Sequence, residues 1–207
     1  MLEALLFFWE YAQNGGIIII ILTLLTIFLW YGLGFRYHLL KRGDGRNLRR
    51  LFEKYQSGKF QNRQPKGIVD RAIIEAIQIK NERKNNLREH LDEAFYKYIM
   101  EMRSFSGLVQ IIVIVAPLLG LLGTVTGMIE TFDSLADMAL FSQSGGIAGG
   151  IAQALFTTQM GLIVSVPGLI IGNMLLRKQE KIETELNQIK DLITSFDESS
   201  KINLSKE

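Results

Sequence analysis

The chain contains no cysteine. That excludes a disulfide framework and every cysteine-based zinc or iron–sulfur site. Its two histidines, His38 and His90, lie far apart with no second ligand beside either. Both read as solvated or interfacial side chains, so neither a metal nor another cofactor is expected. Lysine and arginine are missing from two long stretches, 1–35 and 104–176. All 23 fall elsewhere, seventeen between Arg36 and Arg103 and six between Arg177 and Lys206. Soluble surfaces intersperse both signs, so a charge map cut into blocks argues against an ordinary soluble domain. The net charge of +2 gives no reason to expect a nucleic-acid partner. No nucleophile–base pair is visible, and the glycine-rich run at 145–150 lacks the lysine of a phosphate-binding loop. An enzyme is therefore not expected.

What is there is apolar length. The chain is 48% hydrophobic, with a mean hydropathy of +0.17 that averages over an apolar phase and a richly charged one. A bilayer span takes ~20 mostly apolar residues, and three segments qualify. The first, 16–35, holds the run from Ile17 to Leu22 and ends at Trp30, Tyr31 and Tyr37, rings suited to an interface. With Glu3 and Glu10 ahead of it instead of a basic region, it reads as a retained helix and not as a signal peptide. The second span is 104–129 and the third 149–176. Positive charge collects on the cytoplasmic side, whereas acids contribute little to orientation, so Glu130, Asp133 and Asp137 are free to sit outside.

The expected architecture is an all-α integral membrane protein with three transmembrane helices, spans two and three extending into a cytoplasmic helical bundle. Its parts are a short periplasmic N-terminus (1–15), transmembrane helix one (16–35), a cytoplasmic helical loop (36–103), transmembrane helix two (104–129), a periplasmic turn (130–148), transmembrane helix three (149–176), and a cytoplasmic C-terminal helix and tail (177–207). The bundle is read from two apolar rows: Leu87, Leu91, Ala94, Tyr98 and Met102 leading into span two, and Ile182, Leu186, Ile189, Ile193 and Phe196 following span three. Turns are expected at Gly43-Asp44-Gly45, around Pro65 and Gly67, and at Ser142 to Gly146 on the outer side, with a frayed polar tail from Asp197.

Spans two and three differ from the greasy first span. In span two, Gly123 and Gly127 form a GxxxG pair, and Gly120, Thr124, Gly127 and Thr131 follow one stripe. In span three Gly150, Ala154, Thr158, Gly161, Ser165, Gly168 and Gly172 do the same. Small stripes let helix backbones approach closely in lipid, which assigns Gly120, Gly123, Gly127, Ala154, Gly161, Gly168 and Gly172 to helix packing. The hydroxyls leave a second reading open, a lining around a pore or a partner helix. No Asp, Glu, Lys, Arg or His lies inside any span. Proton pathways normally use intramembrane ionisable groups, so a proton path here needs its carboxylate from a partner.

The segment 116–128, APLLGLLGTVTGM, and the segment 150–162, GIAQALFTTQMGL, followed by Val166-Pro167 and Asn173, resemble the two membrane signatures of the MotA/TolQ/ExbB family of energy-transducing channel subunits, with the ExbB branch nearest and TolQ second. The resemblance implies a homo-oligomeric ring, generally a pentamer, in the bacterial inner membrane. The ring surrounds the single membrane helices of ExbD- or TolR-like partners, each carrying a membrane Asp. Protons moving through that Asp energise a TonB- or TolA-like protein, and hence TonB-dependent transport across the outer membrane or, in the alternative, the Tol-Pal envelope system. A non-conducting membrane scaffold is the reading from another class. The resemblance places the pore threonines on Thr124 and Thr158, with Gln153 and Ser165 along the same path. Gln153 stands where the family commonly carries Glu. Thr157, about 100° around the helix from Thr158, is expected to face elsewhere.

Overall fold

The computed structural model describes residues 16–43, 48, 65, 67–82, 86–138 and 145–204. The expected N-terminal segment 1–15, the turn residues 44–47, 61–64 and 142–144, and the last three residues lie outside the described residues. Five α-helices follow in order: α1 (Gly16–Leu39), α2 (Ile68–Asn81), α3 (Leu87–Arg103), α4 (Ser106–Met138) and α5 (Gly145–Leu204), with no strand among the described residues. The protein is an all-α membrane protein, and α1, α4 and α5 each carry a stretch long and apolar enough to cross a bilayer. Both termini of the outer turn are helical, with α4 continuing past residue 129 to Met138 and α5 beginning at Gly145. The tail expected to fray from Asp197 is helical to Leu204.

Two compact units share the long helices. The first contains 16–34 and 105–173. Its centre is the α4–α5 seam. Val109 meets Gly172, Ala116 and Gly120 meet Gly161, and Gly127 meets Gly150, so the two helices run antiparallel. A methyl group on Gly161 would lie 2.7 Å from the Ala116 carbonyl oxygen, and one on Gly127 would lie 2.6 Å from the Gly150 carbonyl oxygen. Backbone meets backbone at both places, and only glycine leaves room. α1 adds a narrow stripe, Ile19, Leu22, Leu29 and Leu33, that is buried, with Leu29 against Gly168 and Gly32 against Val109. Its other faces, from Ile17 to Trp30, are exposed apolar surface, which is what a helix bathed in lipid carries. Thr23 and Thr26 close on their own helix, donating to the carbonyls of Ile19 and Leu22 at 2.8 and 2.7 Å.

The second unit contains described residues 35–43, 67–82, 86–104 and 174–204. Ile182, Leu186, Ile189 and Ile193 are all buried, as are Leu87, Leu91 and Met102, and they form its core; Ala94 and Tyr98 of the expected rows are half-buried, and the side chain of Phe196 lies outside the described residues. Phe95 completes it, one position from the Ala94 that the spacing had chosen. Ion pairs frame this core: Arg42–Glu185 and Lys190–Asp92 at 2.6 Å, Arg103–Glu183 at 3.4 Å and Arg88–Asp191 at 3.5 Å. The buried Arg36 donates to Gln179 at 2.7 Å, and Gln179 donates in turn to Glu183 at 2.9 Å. Tyr98 donates to Glu75 at 2.6 Å. Burial first, and the Glu75 carboxylate second, push the Tyr98 phenol well above its ordinary value, so it stays a donor through the neutral range. The chain after α1 folds back to cap α2, whose first amides Ile68 and Val69 donate to the carbonyls of Lys41 and Arg42 at 3.0 and 3.3 Å.

α3 does not run on into α4. The helix stops at Arg103 and the chain turns through Phe105, whose φ of +59° is left-handed. That conformation costs a non-glycine residue roughly 1–2 kcal/mol, so the row that ends at Met102 is not continuous with the second span.

The seam sets a sharp contrast among glycines. Gly107 and Gly34 have nothing within 4 Å of an added methyl group. Gly107→Ala should leave the thermal midpoint in detergent unchanged or raise it, because Ala is favoured over Gly in a helix by about 1 kcal/mol. Gly161→Ala and Gly127→Ala should each lower it, by roughly 1–3 kcal/mol of overpacking. Equal midpoints for Gly107→Ala and Gly161→Ala would remove the backbone seam from this account.

Candidate functional site: the open face of the α4–α5 pair

The seam departs from the sequence stripes by one residue on each helix, taking Gly123 in place of Thr124 and Thr157 in place of Thr158. On α4 it passes through Ala116, Gly120, Gly123, Gly127 and Thr131, and on α5 through Gly150, Ala154, Thr157 and Gly161, all of them buried. A methyl group on Gly123 would overlap the side chain of Thr157, and one on Gly150 would overlap the Thr131 hydroxyl. Thr157 is 1% exposed. Thr124 and Thr158, which the stripes had included, are instead half-buried at the seam's edge.

Their side of the pair follows from helical phase. Thr124 and Thr158 each come one residue after a seam residue, about 100° further around. In an antiparallel pair the same rotation turns both toward one side of the seam. The opposite side belongs to α1, because Gly32 approaches Leu108, and Gly16 approaches Gln153 at 3.2 Å, both one residue before a seam position. Thr124 and Thr158 therefore share the side that α1 leaves uncovered. Thr158 Oγ1 reaches across to the Gly120 carbonyl at 3.3 Å and donates also to Ala154 at 3.1 Å. Thr124, one turn beyond Gly120, donates to the Leu121 carbonyl at 2.6 Å. With each hydroxyl hydrogen spent on a carbonyl, the oxygen lone pairs face outward as acceptors. The rest of that face is apolar and exposed, including Leu121, Leu155 and Leu162.

Two expected path residues stand elsewhere. Ser165 is 5% exposed and donates to the Leu162 carbonyl of its own helix at 3.4 Å. It keeps the helical phase of Thr158, seven residues earlier, but is closed off from the open face between Gly161 and Gly168, which lie against α4 and α1. Gln153 faces the α1 side, where its Nε2 donates to Glu130 Oε1 at 3.3 Å. Of the residues assigned to packing, Gly120, Gly123, Gly127, Ala154, Gly161 and Gly168 sit at close helix contacts, and Gly172 meets Val109 in ordinary contact at 3.5 Å. Thr131, part of the span-two stripe, lies in the seam, whereas Thr157 was missed as a seam residue. Spacing alone does not single out Thr157: the path from Gly150 to Gly161 steps 4-3-4 through Thr157 and 4-4-3 through Thr158, the same length either way.

The sequence model of the MotA/TolQ/ExbB proton channel family matches residues 62–188. An ExbB-like biopolymer transport protein of Synechocystis sp. is 31% identical over 131 residues, 61% of this chain and 62% of the relative. The biopolymer transport protein exbB1 of Vibrio cholerae is 38% identical over 87 residues, 40% of this chain and 38% of the relative. The biopolymer transport protein ExbB of Pseudomonas putida is 25% identical over 187 residues, 82% of this chain and 56% of the relative. In each case the match takes in less than two thirds of the relative's length.

The overlap of Gly123 with Thr157 makes a reciprocal test. Gly123→Ala should destabilise the protein, and adding Thr157→Ala should restore most of the loss by emptying the space the methyl group needs. Measured as thermal midpoints in detergent, purely additive losses would mean that the two residues do not meet.

Proposed function

The chain belongs to the MotA/TolQ/ExbB proton channel family, and from that premise we propose that it is the ring-forming subunit of a proton-driven motor in the bacterial inner membrane. It works as an ExbB-like subunit, in a homo-oligomer that is pentameric, around an ExbD-like (or TolR-like) single-span partner carrying a membrane Asp. The motor energises a TonB-like client, and through it TonB-dependent transport across the outer membrane. The names of the relatives, biopolymer transport proteins of the ExbB type, favour this client over a TolA-like one. The N-terminus is periplasmic and the C-terminus cytoplasmic, following the lysine and arginine map. The subunit carries out no chemical catalysis of its own.

One observation carries the reading: two hydroxyls, Thr124 and Thr158, stand one helical turn apart among exposed apolar side chains on the face that α1 leaves uncovered. A stripe that served packing alone would bury them, as it buries Thr157. At rest each oxygen offers lone pairs to a proton donor, and so receives the protonated carboxyl of a partner. When the proton leaves, the hydroxyl rotates from its backbone carbonyl and donates to the carboxylate. The site thus solvates both protonation states without holding a charge of its own, whose burial in the membrane is costly.

The test is proton flux in liposomes containing the chain with its co-expressed partner. Thr158→Val and Thr124→Val preserve shape and remove the hydroxyl. Each should lower flux about fivefold, the rate equivalent of ~1 kcal/mol for a lost hydrogen bond, while ring assembly is kept. Thr157→Val removes a hydroxyl that bonds only within its own helix and should leave flux intact. Full flux in both edge variants would reduce these hydroxyls to packing.

A further inference from the structure

The open face carries a second polar level at the other end of the spans. Val109 lies against Gly172 on α5 and Gly32 on α1. Gln110 and Asn173 each follow those seam positions by one residue, and both are exposed. The phase argument that places Thr124 and Thr158 applies unchanged: Leu108, one residue before Val109, is on the side Gly32 approaches at 3.9 Å, so Gln110 and Asn173 stand on the side away from α1. Fourteen residues separate Gln110 from Thr124 and fifteen separate Thr158 from Asn173, about 21 Å at ~1.5 Å per residue. Between the two levels the exposed side chains of the face are apolar, such as Ile114 and Leu169, and Ser165 is buried.

We propose that Gln110 and Asn173 form the inner polar tier of the proton path, holding the water that receives or supplies protons on the cytoplasmic side. The proposal rests on the reading above that this face lines a lumen. A primary amide carries two donors and one acceptor oxygen, so a pair of them orders water of either orientation without fixing a charge at the mouth. The apolar stretch between the tiers keeps the middle of the path dry, so protons cross it only on a moving carrier and do not leak along a continuous water column.

The lack of cysteine supplies a clean background for the test. Single variants Gln110→Cys and Asn173→Cys, assembled with the co-expressed partner in inside-out membrane vesicles, are exposed to a charged, membrane-impermeant methanethiosulfonate reagent. Ile111→Cys and Met174→Cys are the controls, at the same depth on exposed faces turned away from the seam. Thiols in a wet lumen should react about tenfold faster or more, because apolar surroundings raise a thiol pKa by a unit or more and deplete the reactive thiolate. The double variant Gln110→Leu/Asn173→Leu should lose most of its proton flux. Equal labelling rates would show residues that merely lie at interfacial depth, and would overturn the tier. If that occurs while Thr158→Val still slows flux, the inner tier fails and the pore reading stands. If flux ignores Thr158 altogether, the pore reading fails, and the tier falls with it.

Discussion

At Gly127–Gly150 and at Gly161–Ala116 the α4 and α5 backbones touch with no side chain between them. Everything else in the membrane unit is arranged around that contact. In lipid there is no hydrophobic drive between helices, so association rests on packing and on groups that would otherwise go unsatisfied. The seam meets both needs. It packs backbone on backbone, and it buries Thr131 and Thr157 with their hydroxyls bonded to their own helices. Because the seam fixes the rotation of both helices, it also decides which residues remain outside it. Thr124 and Thr158 come out on one side, and Gln153 and Leu108 come out on the other, against α1.

That division gives the absence of intramembrane charge a physical sense. A carboxylate fixed on the subunit would carry a constant cost in the membrane. Hydroxyls and amides carry less, and they accommodate a proton donor or an acceptor by rotation. In the proposed function the subunit serves as a passive, polar-flecked surface, and the titrating group comes from the partner. Gln153 behaves alike: it holds Glu130 by a hydrogen bond and brings no charge of its own.

Much of this was legible in the sequence because the strongest signals are one-dimensional. Uncharged length marks the three spans, the lysine and arginine blocks mark their flanks, and the rows from Leu87 and from Ile182 mark the core of the second unit. The glycines of the small stripes on α4 and α5 lie at helix contacts. What was not legible depends on the partner helix. Thr124 and Thr158 fit a stripe by spacing, and only the placement of Gly123 against Thr157 shows that the seam runs one residue earlier. Ser165 looked like a path residue because its type suits one, yet neighbouring glycines draw it inward. The stop at Ser104–Phe105 requires a left-handed Phe, a conformation no propensity argues for. The persistence of α5 to Leu204 overrides a polar composition that favours fraying.

The account stands on Thr158 being open where Thr157 is closed. The direct measurement is thiol block of proton flux in the otherwise cysteine-free chain, comparing Thr158→Cys with Thr157→Cys in liposomes that also hold the co-expressed partner. A small water-soluble thiol reagent should halt flux through Thr158→Cys and leave Thr157→Cys running, because the second thiol is sealed against Gly123. Block of Thr157→Cys with Thr158→Cys unaffected would put the path on the other side of α5 and contradict the account.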